Sequence, residues 1–228
     1  LLNYMKNFFD DQIDLNSKRT KNIVFGKLKD ESTVYHLADI LKSHKIKFNR
    51  ISKDIVISGK KYLKDNSYIV PMNQPKRTLI EAMFYTQTKF KDSLFYDVSS
   101  WTLPLAFNIN YDYTDGLSQS NISSLIDNEV EDLIKPNGMV DNKSDYAYIF
   151  EPHEYYTQAA IYKILDKGLR VKTATRKFSI KGREYDYGTY MIPVQSQELN
   201  SDEIYELLNE VSKEYNVNFE SHSTGSTD

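Results

Sequence analysis

The pattern of apolar and polar positions changes period repeatedly along the chain. Leu1, Leu2, Met5, Phe8 and Phe9 recur at helical spacing, and a polar, charged stretch over 10–21 follows. The short apolar run Asn22–Gly26 ends in glycine and predicts a buried strand. Asp30 is placed to cap a helix whose Val34, Leu37, Ala38 and Leu41 share one face. Residues 47–51 read as a second strand. Ile55, Val56, Ile57, Lys61 and Tyr62 around Gly59 read as a small hairpin or an edge element. Residues 67–70 make a third strand, stopped by Pro71 and Pro75.

Residues 76–84 then predict a helix and 94–98 a strand running into a Ser99-Ser100-Trp101 turn. Over 108–144 Asn, Asp, Ser and Gly dominate, which predicts a long irregular segment with a short helix over 122–133. Residues 146–150 predict a strand, and Glu151-Pro152 the opening of a helix that Gly168 ends. Strands are expected over 170–180, 187–194 and 217–220. Asn200 and Glu203 form a capping box ahead of Ile204, Leu207, Leu208, Val211 and Tyr215. This succession predicts an α/β fold: a mostly parallel sheet with helices on both faces. No tandem repeat stands out; each half holds a strand–helix–strand unit, as any doubly wound sheet would.

Charge and composition remove options. Against 29 basic side chains stand 32 acidic ones, for a net charge of −3. Near balance argues against a nucleic-acid partner held by phosphate neutralisation. The chain has no cysteine and 4 histidines. That excludes disulfides, thiolate zinc sites, iron–sulfur clusters and a cysteine nucleophile within this chain. The 8 glycines form no phosphate-cradling loop. No apolar run approaches the roughly 20 residues needed to span a bilayer. A start in mid-helix pattern and an abrupt polar end read as an excised piece of a longer protein, with residues 1–20 a helix and linker from a preceding domain.

Ligands of such sheets bind beyond the carboxyl ends of the strands. That rule selects Asn73 in 71–75, the 97–101 turn with Trp101, and 151–155 with Glu151. Ser99 or Ser100 at a helix start, with His153 and Glu154 or Glu151, would make a Ser–His–acid relay. The capping reading outweighs it: neither serine is flanked by glycines as a nucleophile elbow requires, and a Pro-His-Glu opening is ordinarily a solvated first turn. His36, His44, His153 and His222 show no His-x-x-Glu or His-Glu-x-x-His spacing, so no metal ligand is assigned. The paired tyrosines, such as 155/156 and 185/187/190, suit a glycan- or peptide-stacking surface or half-buried packing.

Three stretches carry a family resemblance: 68–75 (YIVPMNQP), 92–107 (DSLFYDVSSWTLPLAF) and 187–195 (YGTYMIPVQ). With Phe25-Gly26 and Phe150-Glu151, they resemble the C-terminal region of large bacterial zinc carboxypeptidase-like proteins of the carboxypeptidase A type. In that family a domain resembling class I glutamine amidotransferases follows the catalytic domain. The resemblance implies a flavodoxin-like, amidotransferase-like α/β domain over 21–228 with an irregular insertion near 108–145. It implies a non-catalytic accessory domain whose partner is the upstream carboxypeptidase domain, with a peptide as the parent's substrate. Zinc would belong to that upstream hydrolase domain, and no cofactor to this fragment. A periplasmic or secreted setting is implied for the parent. Amidotransferase chemistry needs a cysteine that this chain lacks. The alternatives are a Ser-dependent hydrolase and a glycan- or peptide-binding module using Trp101, Asn73 and Glu151.

Overall fold

All five residues of the first strand, β1 (Asn22–Gly26), are buried, on both sides of the backbone at once. Such a strand must lie between two layers, and the two layers turn out to be different. The computed structural model describes residues 1–14, 22–86, 102–115 and 117–225. It divides into two compact units, Leu1–Ile134 and Lys135–Asp228.

The first unit contains α1 (Leu2–Asp14), β1, α2 (Glu31–Ser43), β2 (Asn49–Ile51), β3 (Ile55–Ile57), β4 (Lys60–Tyr62), β5 (Ser67–Pro71), α3 (Arg77–Phe84), α4 (Leu103–Ala106), β6 (Asn110–Tyr113), α5 (Gln119–Leu125) and β7 (Ile126–Glu129). Its sheet runs β6-β1-β5-β2-β7, and every pairing is antiparallel. Side chains alternate across it. Ile23, Phe25, Tyr68 and Val70 pack with Val34, Leu37 and Leu41 of α2 and Ile80 and Phe84 of α3. Val24 and Ile69 face the other way, onto Ile57 and Tyr62 of the β3–β4 hairpin and Leu125 of α5.

The second unit contains β8 (Ala147–Phe150), α6 (Thr157–Asp166), β9 (Lys172–Thr173), β10 (Phe178–Ile180), β11 (Arg183–Tyr185), β12 (Tyr190–Pro193), α7 (Ser201–Tyr215) and β13 (Glu220–His222). Its sheet runs β13-β8-β12-β9, again antiparallel throughout. Tyr148, Phe150 and Ile192 pack against α6 and α7. Ile149 and Met191 pack against Ile180 and Tyr185 of the β10–β11 hairpin.

The two units therefore repeat one plan. Each is β-α-β, then a hairpin, then β-α-β, with the first strand beside the third and fourth: the order of two interlocked split βαβ motifs. The repeat extends to detail. Both hairpins turn through two consecutive left-handed residues, Ser58-Gly59 (φ 50° and 78°) and Lys181-Gly182 (φ 51° and 77°). That is the primed turn whose twist matches the strands. Helices α2 and α6 end alike, with left-handed Lys45 and Gly168 and 6→1 bonds from Ile46 N to Leu41 O (3.0 Å) and from Leu169 N to Ile164 O (3.2 Å). Gln74 accepts from Lys47 N (2.8 Å) and donates to Lys47 O (2.9 Å) and Pro71 O (2.6 Å). Gln197 does the same with Arg170 N (2.9 Å), Arg170 O (3.0 Å) and Pro193 O (2.7 Å).

This architecture overturns the expected mostly parallel, flavodoxin-like or amidotransferase-like sheet with helices on both faces. The strands flanking α2 are parallel to each other, but β5 inserts between them and pairs antiparallel with both. In each unit two helices, α2 and α3 in the first and α6 and α7 in the second, share one face and a hairpin packs on the other. Local differences follow. Residues 151–156 form turns instead of a first helical turn, tied by Thr157 N–H to the Glu154 carbonyl (3.1 Å) and by the Thr157 hydroxyl to that of Glu151 (3.3 Å). The expected strand over 170–180 is two strands, β9 and β10. The segment near 122–133 is the end of α5 and the strand β7. The strand expected over 94–98 lies outside the described residues.

Candidate functional site

An intact duplication separates what a position does for the fold from what it does beyond it. Polar groups present in both units hold the hairpin to its sheet. Groups present in one unit only are the candidates for a role beyond the fold. Strand register supplies the equivalences: Asp112 faces Val24, and Glu220 faces Ile149.

The shared device is a tyrosine latch. Tyr62 on β4 donates its hydroxyl proton to Asp112 Oδ2 at 2.6 Å, and Lys60 pairs with the same carboxylate at 3.2 Å. Tyr185 on β11 donates to Glu220 Oε2 at 2.7 Å, and Arg183 pairs with the other Glu220 oxygen. Each aromatic ring fills the hairpin layer while its hydroxyl ties down the neighbouring edge strand. Burial pushes both phenols well above their ordinary range, and the adjacent carboxylates push them further. Such a hydroxyl stays protonated and serves as a donor, not as a base.

The second unit adds to this latch. Glu151 stands where the first unit has Gly26, and accepts from Arg183 Nη2 at 3.3 Å. Its other oxygen lies 3.9 Å from His153 Nδ1. His222 stands where the first unit has Thr114 and brings Nε2 to 3.2 Å from the Tyr185 oxygen. Because the Tyr185 proton is given to Glu220, that contact requires the Nε2–H tautomer of His222. Burial, then the charges of Lys181 and Arg183, lower the His222 pKa; burial raises that of Glu220, against the pull of Tyr185 and Arg183. Beside His222 opens a depression of about 430 Å³ whose lining includes Asp145, Tyr146, Lys181, Gln195 and Ser223.

The residues singled out from sequence fall as follows. Glu151 and His153 come together in this cluster. The oxygens of Glu154 accept from Asn218 N (3.1 Å) and Asn218 Nδ2 (2.8 Å). Asn218 in turn accepts from Met139 N at 3.2 Å, so Glu154 clamps the chain entering the unit to the chain leaving α7. Asn73 is exposed in the β5–α3 turn, next to the buried Gln74 that makes the strand clip. Ser99, Ser100 and Trp101 lie outside the described residues. Among the described residues, no group of three or more His, Cys, Asp or Glu is placed to hold a metal ion. No described helix is long and apolar enough to cross a membrane.

From sequence alone, Tyr62, Asp112 and Glu220 carry no functional role, Tyr185 enters only as part of a stacking surface, and His222 only as a metal ligand that is not assigned. The signal for the latch was present. Ile57-Ser-Gly-Lys-Lys-Tyr62 and Ile180-Lys-Gly-Arg-Glu-Tyr185 share I-x-G-[KR]-x-Y, and each precedes a [ST]-Y-x-x-P strand, Ser67 to Pro71 and Thr189 to Pro193. The acid partners carry no such signal, since only the fold brings β6 and β13 beside their hairpins. Compared with protein-family models, with curated proteins and with solved structures, the chain matches none.

His222 yields a pH prediction. Its folded-state pKa is lowered from the ordinary 6.5, so the unfolded chain binds the proton first. The stability it contributes is present above about pH 6.5 and is lost as pH falls below that value. Glu220, with a raised pKa, acts with the opposite sign. Urea unfolding of the parent chain and of His222→Gln at about pH 7.5 and 5.5 isolates the imidazole. A smaller loss on acidification is expected for the variant; an equal or larger loss refutes the assignment.

Proposed function

We propose that this chain is a non-catalytic accessory module of a zinc carboxypeptidase-like protein, serving an upstream peptidase domain by packing on it or by holding its peptide substrate. The observation that carries the reading is the commitment of the polar groups at the ends of β8 and β13. Tyr185, Arg183 and Glu220 repeat a latch that the first unit also builds, and Glu154 is spent on Asn218. Groups so engaged suit positioning better than bond breaking, which needs a base within reach of a nucleophile. The resemblance of 68–75, 92–107 and 187–195 supports the link to such a parent, in which zinc sits upstream and the setting is periplasmic or secreted.

A Ser-dependent hydrolase would need His153 aligned by an acid; Glu151 lies 3.9 Å from His153 Nδ1 but is shared with Arg183, and Glu154 faces Asn218. The test is direct. The purified chain is expected to carry no stoichiometric zinc by elemental analysis and to release no C-terminal residue from peptides. One zinc per chain, peptide cleavage, or an esterase activity abolished by Ser99→Ala or Ser100→Ala overturns the proposal.

A further inference from the structure

We propose that the depression beside His222 binds a neutral, polyhydroxylated ligand about the size of one or two sugar residues. The proposal is independent of the accessory reading, since it concerns only groups of the second unit. Its volume, about 430 Å³, falls in the range of small-ligand sites.

The charges balance once the partner of Lys143 outside the lining is counted, which gives no strong preference for a small anion or cation. Lys143 is paired with Asp202 at 2.6 Å, and of the remaining charged side chains Lys181 balances Asp145. Among the described residues, the side chains of Asp145, Lys181, Gln195 and Ser223 make no hydrogen bond or ion pair, so acceptors and donors both remain for a ligand. Sugar hydroxyls need that mixture, because each both gives and takes a hydrogen bond. Tyr146, 38% exposed as a residue and with its hydroxyl end against Gly225, supplies an aromatic ring on which the C–H face of a pyranose can lie. His222, neutral and donating through Nε2 to Tyr185, keeps Nδ1 as a further acceptor.

The floor is built in advance. The buried Ser144 hydroxyl donates to the His222 carbonyl at 2.6 Å and accepts from Tyr146 N at 3.0 Å, fixing the two lining segments to each other. Pre-set geometry of this kind lowers the ordering cost of binding. At the equivalent place in the first unit, Thr114 is fully buried and bonded to Asn22 N at 3.2 Å, so the strand end is closed there.

The test is a ¹H–¹⁵N titration of the whole chain with glucose, galactose, mannose and N-acetylglucosamine, with inorganic phosphate and acetate as competing probes. Saturable shifts confined to amides of 143–146, 181–182, 195 and 221–223 are expected from at least one sugar. Both Tyr146→Ala and the exposed Gln195→Ala are expected to weaken that binding by about tenfold or more, a loss of roughly 1.4 kcal/mol per tenfold, with the rest of the spectrum unchanged. The second variant keeps the test valid if the first perturbs folding. Saturable shifts from phosphate or acetate alone, no saturable shift from any sugar, or unchanged affinity in Gln195→Ala overturns the proposal.

Discussion

Phe150→Ala is expected to destabilise the second unit by about 3–5 kcal/mol. Phe150 is 1% exposed at the end of β8, with its ring 5.2 Å from that of Tyr190 and 4.9 Å from that of Phe219. Truncation removes the central ring of that stack and leaves a void in the cluster with α6 and α7. A small domain has only about 5–15 kcal/mol of net stability, so the loss is a large fraction of it. The cluster around Phe150 is drawn wholly from 140–219, while Phe25, at the equivalent register position, belongs to a cluster drawn from 23–133. Hydrogen exchange should therefore show protection falling across β8, β12 and α7 while the amides of β1 keep theirs. Equal loss in both units, or a change below about 1 kcal/mol, contradicts this account.

Gly138→Ala is expected to cost about 3 kcal/mol or more, at the upper end of overpacking effects. A β-carbon there would sit 2.3 Å from the Val217 carbonyl oxygen, 2.5 Å from Val217 N and 2.7 Å from the Ser212 carbonyl oxygen. All three atoms are backbone, so no side-chain rotation relieves the overlap. The segment cannot easily move away either. Phe219 N donates to Met139 O at 2.9 Å, Asp141 N to Phe219 O at 3.1 Å, and Asn218 is gripped by Glu154. Gly168→Ala is the control: its φ is +81° but nothing lies within 4 Å of the added carbon, so only the left-handed backbone cost of roughly 1–2 kcal/mol applies. Thermal unfolding of the two variants should separate them clearly. Similar midpoints would mean that the 138–141 segment yields, and would remove the structural role given to Glu154.

The two glycines also mark the limit of local reading. Gly168 is legible from sequence, because it follows a helical apolar stripe and left-handed helix ends favour glycine. Gly138 sits in a stretch of low periodicity, and its necessity arises from Val217, which only the fold brings near. The site divides in the same way. Glu151 and His153 were visible at a strand end and do meet. Glu154, their immediate neighbour, turns to Asn218, 64 positions further on. Tyr185 was visible as one tyrosine among 18, but its meaning depends on Glu220 and on the matching Tyr62–Asp112 pair.

By itself the sequence determined the local elements wherever period, cap and breaker agree. Val34, Leu37 and Leu41 after Asp30, the Asn200–Glu203 capping box, the turn around Gly59 and the buried run of β1 all follow from side-chain spacing and backbone sterics. Only the tertiary structure decided the order of the strands. A β-α-β string is equally compatible with adjacent parallel strands and with a gap that a later strand fills. What settles the choice is burial on the second face. In each unit a hairpin covers that face with Tyr62 or Tyr185, and the strand after it returns between the first two, pairing antiparallel with both. Those contacts join residues far apart in the chain, so no local window contains them.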